Sequence, residues 1–182
     1  MLKDHMKKNI CRVPKKVEEF FKKNPAPAEL INHKTVFTAY DKAATLKLKP
    51  AAIAKVLVLK ADKDLVMALI SADRNLDFDK LQKAVKAKKV GFVKEALIKE
   101  KFKGVDPGAI PPLCALWRMK VFADRTLMGQ TKIILSAGSY EWSLKMTPAA
   151  FKKITPDLVI GNFSKAKEKK IAPKKKAVKQ KK

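Results

Sequence analysis

Ala54-Lys55-Val56-Leu57-Val58-Leu59-Lys60, then Asp62-Lys63-Asp64, then Leu65-Val66-Met67-Ala68-Leu69-Ile70-Ser71, is the stretch that decides the fold. Two apolar, partly β-branched runs joined by a short polar turn read as an antiparallel hairpin. Strand alternation puts Lys55 on the face of Leu57 and Leu59, while Val56, Val58 and Lys60 share the other. Outward from the hairpin, helical patterns interleave with further strands. Upstream, Pro50 starts a helical turn into the first strand, and Thr38 caps a helix through Leu46 with Tyr40, Ala43 and Ala44 facing inward. Thr35–Phe37 reads as β-like. Pro14–Lys23 is a short amphipathic helix carrying Val17, Phe20 and Phe21 on one side, ended by Asn24-Pro25-Ala26-Pro27. Downstream, Asp77 caps a helix with a Phe78, Leu81, Val85 stripe. Val90–Val93 is a strand, Lys94–Phe102 a helix, and Gly104–Pro112 a constrained Gly/Pro loop. Val121–Ala123, Lys132–Ser136 and Trp142–Met146 are strands, and Thr147-Pro148 opens a last helix through Ile154. This irregular alternation, with a hairpin in its middle and no repeat, predicts a mixed-sheet α/β domain.

The charge is lopsided. In 182 residues there are 42 Lys+Arg against 17 Asp+Glu, a formal net charge of +25, and only Arg12, Arg74, Arg118 and Arg125 are arginines. Such a field favours a polyanionic partner, nucleic acid ahead of an anionic membrane surface. From Ser164 to Lys182 ten lysines face one acid, Glu168, so the tail carries +9 and leaves +16 on the rest. The tail has few apolar residues and no period, so residues 164–182 are expected to be disordered. No apolar run reaches the roughly 18–20 residues that span a bilayer, and MLKDHMKKNI lacks the apolar core of a signal peptide. Cys11, Cys114, His5 and His33 share no metal-ligand spacing, so neither a disulfide framework nor a metal site is expected, and a reducing, cytoplasmic setting follows.

The familiar enzyme signatures are absent: no GxGxxG after a strand, no GxxxxGK[ST], no HExxH, no GxSxG. Less familiar parts remain. If the Leu57/Leu59 face is buried, the Lys55 ammonium either lines a cleft or meets an anion; at the strand's mouth it can instead reach water along its stem. In Gly108-Ala109-Ile110-Pro111-Pro112 only the first three residues have an N–H, which suits either presentation to a carbonyl or phosphate oxygen or a plain rigid turn. Ser136-Ala137-Gly138 ends a strand in small residues. His33 near a strand start is a structural or exposed histidine before it is a base. Trp117, Tyr140 and Trp142 either stack on a base or pack in the core.

Taken in order, AKVLVLK (54–60), ALISADRNLDFDKL (68–81), KKVGFV (88–93), GAIPPL (108–113), VFADRTL (121–127) and ILSAGS (134–139) resemble the YbaK family. These are aminoacyl-tRNA deacylases related to the editing domain inserted in bacterial prolyl-tRNA synthetases. The resemblance runs from about Ile31 to Ile154. It implies one α/β domain with a curved, barrel-like mixed sheet flanked by helices, over residues 31–163. An N-terminal segment, 1–30, precedes it and the lysine tail, 164–182, follows. Lys55 would match the family's site lysine, Gly108–Pro112 its GxxxP loop, Asp124 the aspartate after a late strand, and Ser136 to Gly138 a pocket-lining segment. Thr35, Phe37 and Ile110 would be pocket walls. The chain departs from the pattern at Cys114, where relatives often have Gly, and in its extension beyond the last helix.

The activity the resemblance implies is hydrolysis, in trans and without a cofactor, of the ester joining a wrong small amino acid such as Cys or Ala to the 3′ end of a tRNA, with tRNA-Pro the expected carrier. Gly108 and Ala109 N–H groups would polarise the ester carbonyl, Lys55 would be an electrostatic anchor for the terminal nucleotide's phosphate or for developing charge, ahead of a proton shuttle, and Asp124 and Ser136 would orient ribose or water. The expected partners are the tRNA acceptor end and a synthetase, with no membrane and a monomeric chain. The competing expectation is an RNA-binding module of the same fold without turnover.

Overall fold

The computed structural model describes residues 13–167. Cys11, His5 and most of the lysine tail lie outside them. The hairpin is as read: β2 (Ala54–Ala61) pairs antiparallel with β3 (Asp64–Ser71) from Ala54 opposite Ser71 to Ala61 opposite Asp64. β3 is the middle of a five-stranded sheet ordered β5-β2-β3-β6-β9, where β5 is Val90–Phe92, β6 Lys120–Asp124 and β9 Leu158–Gly161. β5 joins antiparallel, whereas β6 runs parallel to both β3 and β9. A central strand covered on both faces needs a continuous apolar run, which is what Val66–Ile70 supplies.

The two faces carry separate cores. On one, Ala54, Val58, Met67, Leu69, Val121 and Ala123 meet helix α1 (Lys15–Lys23) through Val17, Phe20 and Phe21. On the other, Leu59, Val66, Ala68, Ile70 and Phe122 meet Leu81 of α3 (Phe78–Val85) and Phe163. Each fully buried Leu or Ile here contributes about 1.5–3 kcal/mol. A second, antiparallel sheet is ordered β1-β8-β7, from Ala28–Asn32, Trp142–Met146 and Ile133–Ser139. A lone parallel bridge, Ile53 to Ile134, ties it to the mouth of β2. Above that seam lies α2 (Ala39–Thr45), packed through Ala43 against Ile53, Ala72 and Ile134. The remaining helices are α4 (Glu95–Lys101), α5 (Cys114–Trp117), α6 (Arg125–Met128) and α7 (Pro148–Lys153). Thr38, Asp77 and Thr147 cap α2, α3 and α7 as expected, each accepting a backbone N–H of the first turn.

Four expectations change. The sheets are open: no closed barrel forms among the described residues, because the strands divide into three sheets rather than one. The early strand is Ala28–Asn32, not Thr35–Phe37; it starts immediately after Pro27, where the missing N–H of proline does no harm. A domain boundary at residue 30 therefore cuts through β1, whose five residues all pair with β8. On α2, Ala43 is buried but Tyr40 and Ala44 are not, and Lys42 takes the inward place. Finally, the tail does not begin at Ser164: β10 (Ser164–Ala166) pairs with β4 (Arg74–Leu76), while the rest, 168–182, falls outside the described residues.

Candidate active site

Lys55 stands near the start of β2, on the Leu57/Leu59 side, half-buried. Its Nζ donates to the Arg74 carbonyl at 2.9 Å. Burial pushes the ammonium below its ordinary pKa, Lys167 nearby pushes the same way, and Asp73 works against them. Arg74 in turn donates from Nε to Ser164 Oγ at 2.5 Å and from Nη2 to the Ser164 carbonyl at 3.3 Å.

The Ser164 side chain also lies near the Asp124 carboxylate and helps to lower its pKa. Asp124 is almost fully enclosed and accepts from the Thr126 N–H at 2.9 Å, from Thr126 Oγ1 at 2.5 Å and from the Phe163 N–H at 2.7 Å. Burial is the largest influence and would raise its pKa; the hydrogen bonds from Thr126 and Phe163, together with the Ser164 side chain, outweigh it and hold the carboxyl below its ordinary value. Asp124 thus caps α6 and pins the C-terminal segment. It is linked to Lys55 through Ser164 and Arg74.

Ser136 belongs to a second group. Lys42 Nζ donates to Ser136 Oγ at 3.0 Å, and both residues are buried. Ser136 faces Ser143 across the β7–β8 pair, and Ser143 Oγ lies 2.8 Å from His33 Nε2. Desolvation lowers the Lys42 pKa to about 8 and lowers that of His33, where the neighbouring Lys42 charge adds to the effect. No carboxylate pairs with Lys42 among the described residues. Lys42 escaped sequence reading because a lysine on an amphipathic helix is placed in water by default; one signal was available, that Lys42 adjoins Ala43 on the face that must pack. The Ile53–Ile134 bridge sets this group beside the first, since Lys55 and Ser136 each follow it by two residues on neighbouring strands.

Thr35 and Phe37 sit over the β7–β8 turn. Thr35 Oγ1 donates to Glu141 Oε1 at 3.1 Å, and the exposed Phe37 ring packs edge-on against Tyr140, centroids 4.8 Å apart. The Tyr140 hydroxyl donates to the Pro107 carbonyl, which draws the Gly108 loop to the same turn. Gly108 is exposed with φ +84°, and a Cβ there would meet nothing within 4 Å. Of the loop's donors, the Ala109 N–H is already given to the Asp106 carbonyl at 2.9 Å. Those of Gly108 and Ile110 bond to no described residue. Ile110 and Pro112 are buried, the former in the α1-side core with Leu113 and Trp117. Gly138 has φ +96° and a Cβ direction that runs into Pro14 Cγ at 2.8 Å, so its open side is filled by the N-terminal segment. Trp117 and Trp142 are core residues; the Trp117 indole N–H donates to the Pro111 carbonyl at 2.8 Å and braces the loop.

The chain thus brings Lys55 together with Arg74 and, indirectly, Asp124; Ser136 with Lys42; and Thr35 and Phe37 with the Gly108 loop. Cys114 is buried at the start of α5, and burial raises its thiol pKa, which leaves it a poor nucleophile. Among the described residues no cluster of three or more His, Cys, Asp or Glu could hold a metal, and no helix is long and apolar enough to cross a membrane.

Residues 33–154 match the family model described as an aminoacyl-tRNA editing domain. Among curated proteins, a proline–tRNA ligase of Bacillus velezensis is 26% identical over 115 residues, 63% of this chain and 20% of the ligase. One from Lysinibacillus sphaericus is 34% identical over 90 residues, 50% of the chain and 16% of the ligase. The chain therefore spans about a fifth or less of these relatives' length. Among solved structures, one proposed as a trans-editing enzyme for prolyl-tRNA synthetase superposes with TM-score 0.73 at 17% identity, covering 84% of this chain and 97% of that one; this likeness shows the fold.

Proposed function

Because the chain belongs to the aminoacyl-tRNA editing domain family, we propose that it is a deacylase acting in trans on mischarged tRNA. The observation that carries this is that every candidate site residue, from Thr35 to Gly138, lies inside the matched segment 33–154. The substrate is a small amino acid, Cys or Ala, esterified to the 3′ adenosine of tRNA-Pro. The setting is the cytoplasm, alongside a prolyl-tRNA synthetase.

The reaction asks little of the protein. Water attacks the ester carbonyl carbon, the bond to the ribose oxygen breaks, and that oxygen takes up a proton. An aminoacyl ester next to a vicinal hydroxyl is already activated, so positioning and carbonyl polarisation are the protein's contributions. The free N–H groups of Gly108 and Ile110 are suited to the carbonyl oxygen; Ala109 would serve only after releasing Asp106. Lys55 is suited to a backbone phosphate of the terminal nucleotide. Thr35 and Phe37, at the loop's edge, and Ile110 beneath it limit the bulk of the amino acid. Ser136, beneath the site, is taken up as the acceptor for Lys42 and supports the floor of the pocket rather than the chemistry. The +16 outside residues 164–182 draws in the acceptor stem with steep salt dependence.

The engaged Ala109 N–H and the structural part played by Asp124 favour a second reading, a tRNA-binding module without turnover. Incubating the chain with a panel of tRNAs charged with Cys, Ala, Ser or Pro, and following released amino acid, separates the two. Release of one small amino acid well above the spontaneous rate is the expected result; tight tRNA binding with spontaneous release only would overturn the deacylase.

A further inference from the structure

Beyond the matched segment, the chain returns to the site. β10 runs along β4, and immediately after it Lys167 Nζ donates to the Ala72 carbonyl at 2.8 Å and lies 4.1 Å from the Tyr40 ring centroid. Lys55 reaches the same turn from the other side, donating to the Arg74 carbonyl. Two ammonium groups from distant parts of the sequence are therefore held on alternate carbonyls of Ala72-Asp73-Arg74, close enough to depress the Lys55 pKa. Arg74 brings a third positive charge.

One carboxylate, Asp73, stands among them, and its Oδ1 is buried without a hydrogen-bond partner. Three cations against Asp73 and, behind Ser164, Asp124 leave the cluster at +1. Like charges held together by neutral carbonyls and an aromatic face repel one another, and an anion between them relieves that repulsion. Each ammonium has three N–H donors and spends one on the turn, so both keep donors for the oxygens of one phosphate.

We propose that Ser164–Lys167 is part of the site, and that Lys167 and Lys55 form a two-ammonium clamp for the phosphodiester of the RNA 3′-terminal nucleotide. The proposal rests on the deacylase reading for the identity of its ligand. It assigns Lys167, a residue outside the family-matched region, to substrate binding.

The test uses the full chain and two uncharged RNA minihelices, one ending in CCA and one lacking the terminal adenosine, titrated by fluorescence anisotropy. Wild type is expected to favour the CCA end by about tenfold, the scale of one charge-assisted contact of about 1.4 kcal/mol. Lys167→Gln, which retains a donor for the Ala72 carbonyl, should bring that preference within about twofold, and Lys167→Arg should restore most of it. Unfolding curves check that each variant folds. A preference unchanged in Lys167→Gln, or equal weakening on both RNAs, would overturn the clamp. So would inorganic phosphate that displaces both RNAs equally from wild type, since the site would then be one for free phosphate. Turnover of charged tRNA with the preference intact in Lys167→Gln sinks the clamp alone; loss of the preference without any wild-type turnover sinks the hydrolase alone.

Discussion

Lys42 and Lys55 are both drawn out of bulk water, yet their surroundings differ in kind. Lys42 ends among neutral partners, with Ser136 its hydrogen-bond acceptor and no carboxylate paired with it among the described residues, and its pKa falls to about 8. Lys55 ends on a turn carbonyl, half-exposed, with Asp73 drawing its pKa back up against burial and Lys167. The first environment tolerates the charge at a cost; the second leaves net positive charge around a half-exposed ammonium. Burial alone therefore does not identify a functional lysine. What matters is whether the surroundings leave positive charge facing a place that a substrate can reach.

The comparison breaks most visibly in the pH dependence of stability. In the unfolded chain Lys42 keeps its proton to near 10.5, whereas in the folded chain it loses it near 8. Between those values the unfolded state binds more protons, so stability rises with pH across that window and is lost again as pH falls through 8. The full amplitude is about 3 kcal/mol. Lys42→Met should abolish this component, measured as the difference between wild-type and variant denaturation midpoints at pH 7.5 and pH 10. Parallel profiles for the two proteins would mean that Lys42 is solvated after all. Deacylation by Lys42→Met should stay within about threefold of wild type, less than 1 kcal/mol.

Lys55→Ala should do the opposite. Stability changes little, because one bond from a half-exposed ammonium is lost, but single-turnover deacylation should fall about a hundredfold, or about 3 kcal/mol. A folded Lys55→Ala protein with wild-type turnover would reduce Lys55 to a strand-mouth lysine reaching for water. Gly108→Ala comes next. No side-chain clash awaits it, since nothing lies within 4 Å of the added carbon, but φ +84° is strained for alanine by about 1–2 kcal/mol. The loop should relax and the rate should drop about tenfold. An unchanged rate would remove the loop N–H groups from the mechanism. Cys114→Ser is the smallest change, with a rate within about twofold of wild type, because neither lysine environment involves a thiol. Loss of activity in a folded Cys114→Ser protein would call for a thioester route instead.

Much of this was legible in the residues. The 54–71 hairpin, the three Thr and Asp caps and the Trp142–Met146 strand follow local rules that tertiary packing did not override. The place of Lys55 on the Leu57/Leu59 side was legible too, because strand alternation is strict, whereas its part in the site came only from the family resemblance. The missed strands are of one type. Ala28–Asn32 carries only Leu30 and Ile31 as strong β signals and is a strand because β8 offers it a partner. Leu158–Gly161 and Ser164–Ala166 are likewise defined by their neighbours β6 and β4. Propensity in such short segments is weaker than the pairing that long-range contacts impose. Lys42 was hidden by a rotation of α2 that turned a lysine, rather than Tyr40 or Ala44, toward the seam between the sheets.

The pairing of β10 with β4 also bears on the order in which the molecule assembles. The β2–β3 hairpin closes over a short turn and loses little chain entropy, but β4 must wait for a strand that lies at the far end of the described sequence. The folding nucleus is accordingly expected in the hairpin, with the Arg74–Ser164 contact forming on the downhill side of the barrier. Ser164→Ala should leave the refolding limb of a chevron plot in place and raise only the unfolding limb. The same strand that completes the cationic cluster is then a latch on the finished fold, governing how long the native state survives rather than how quickly it is reached.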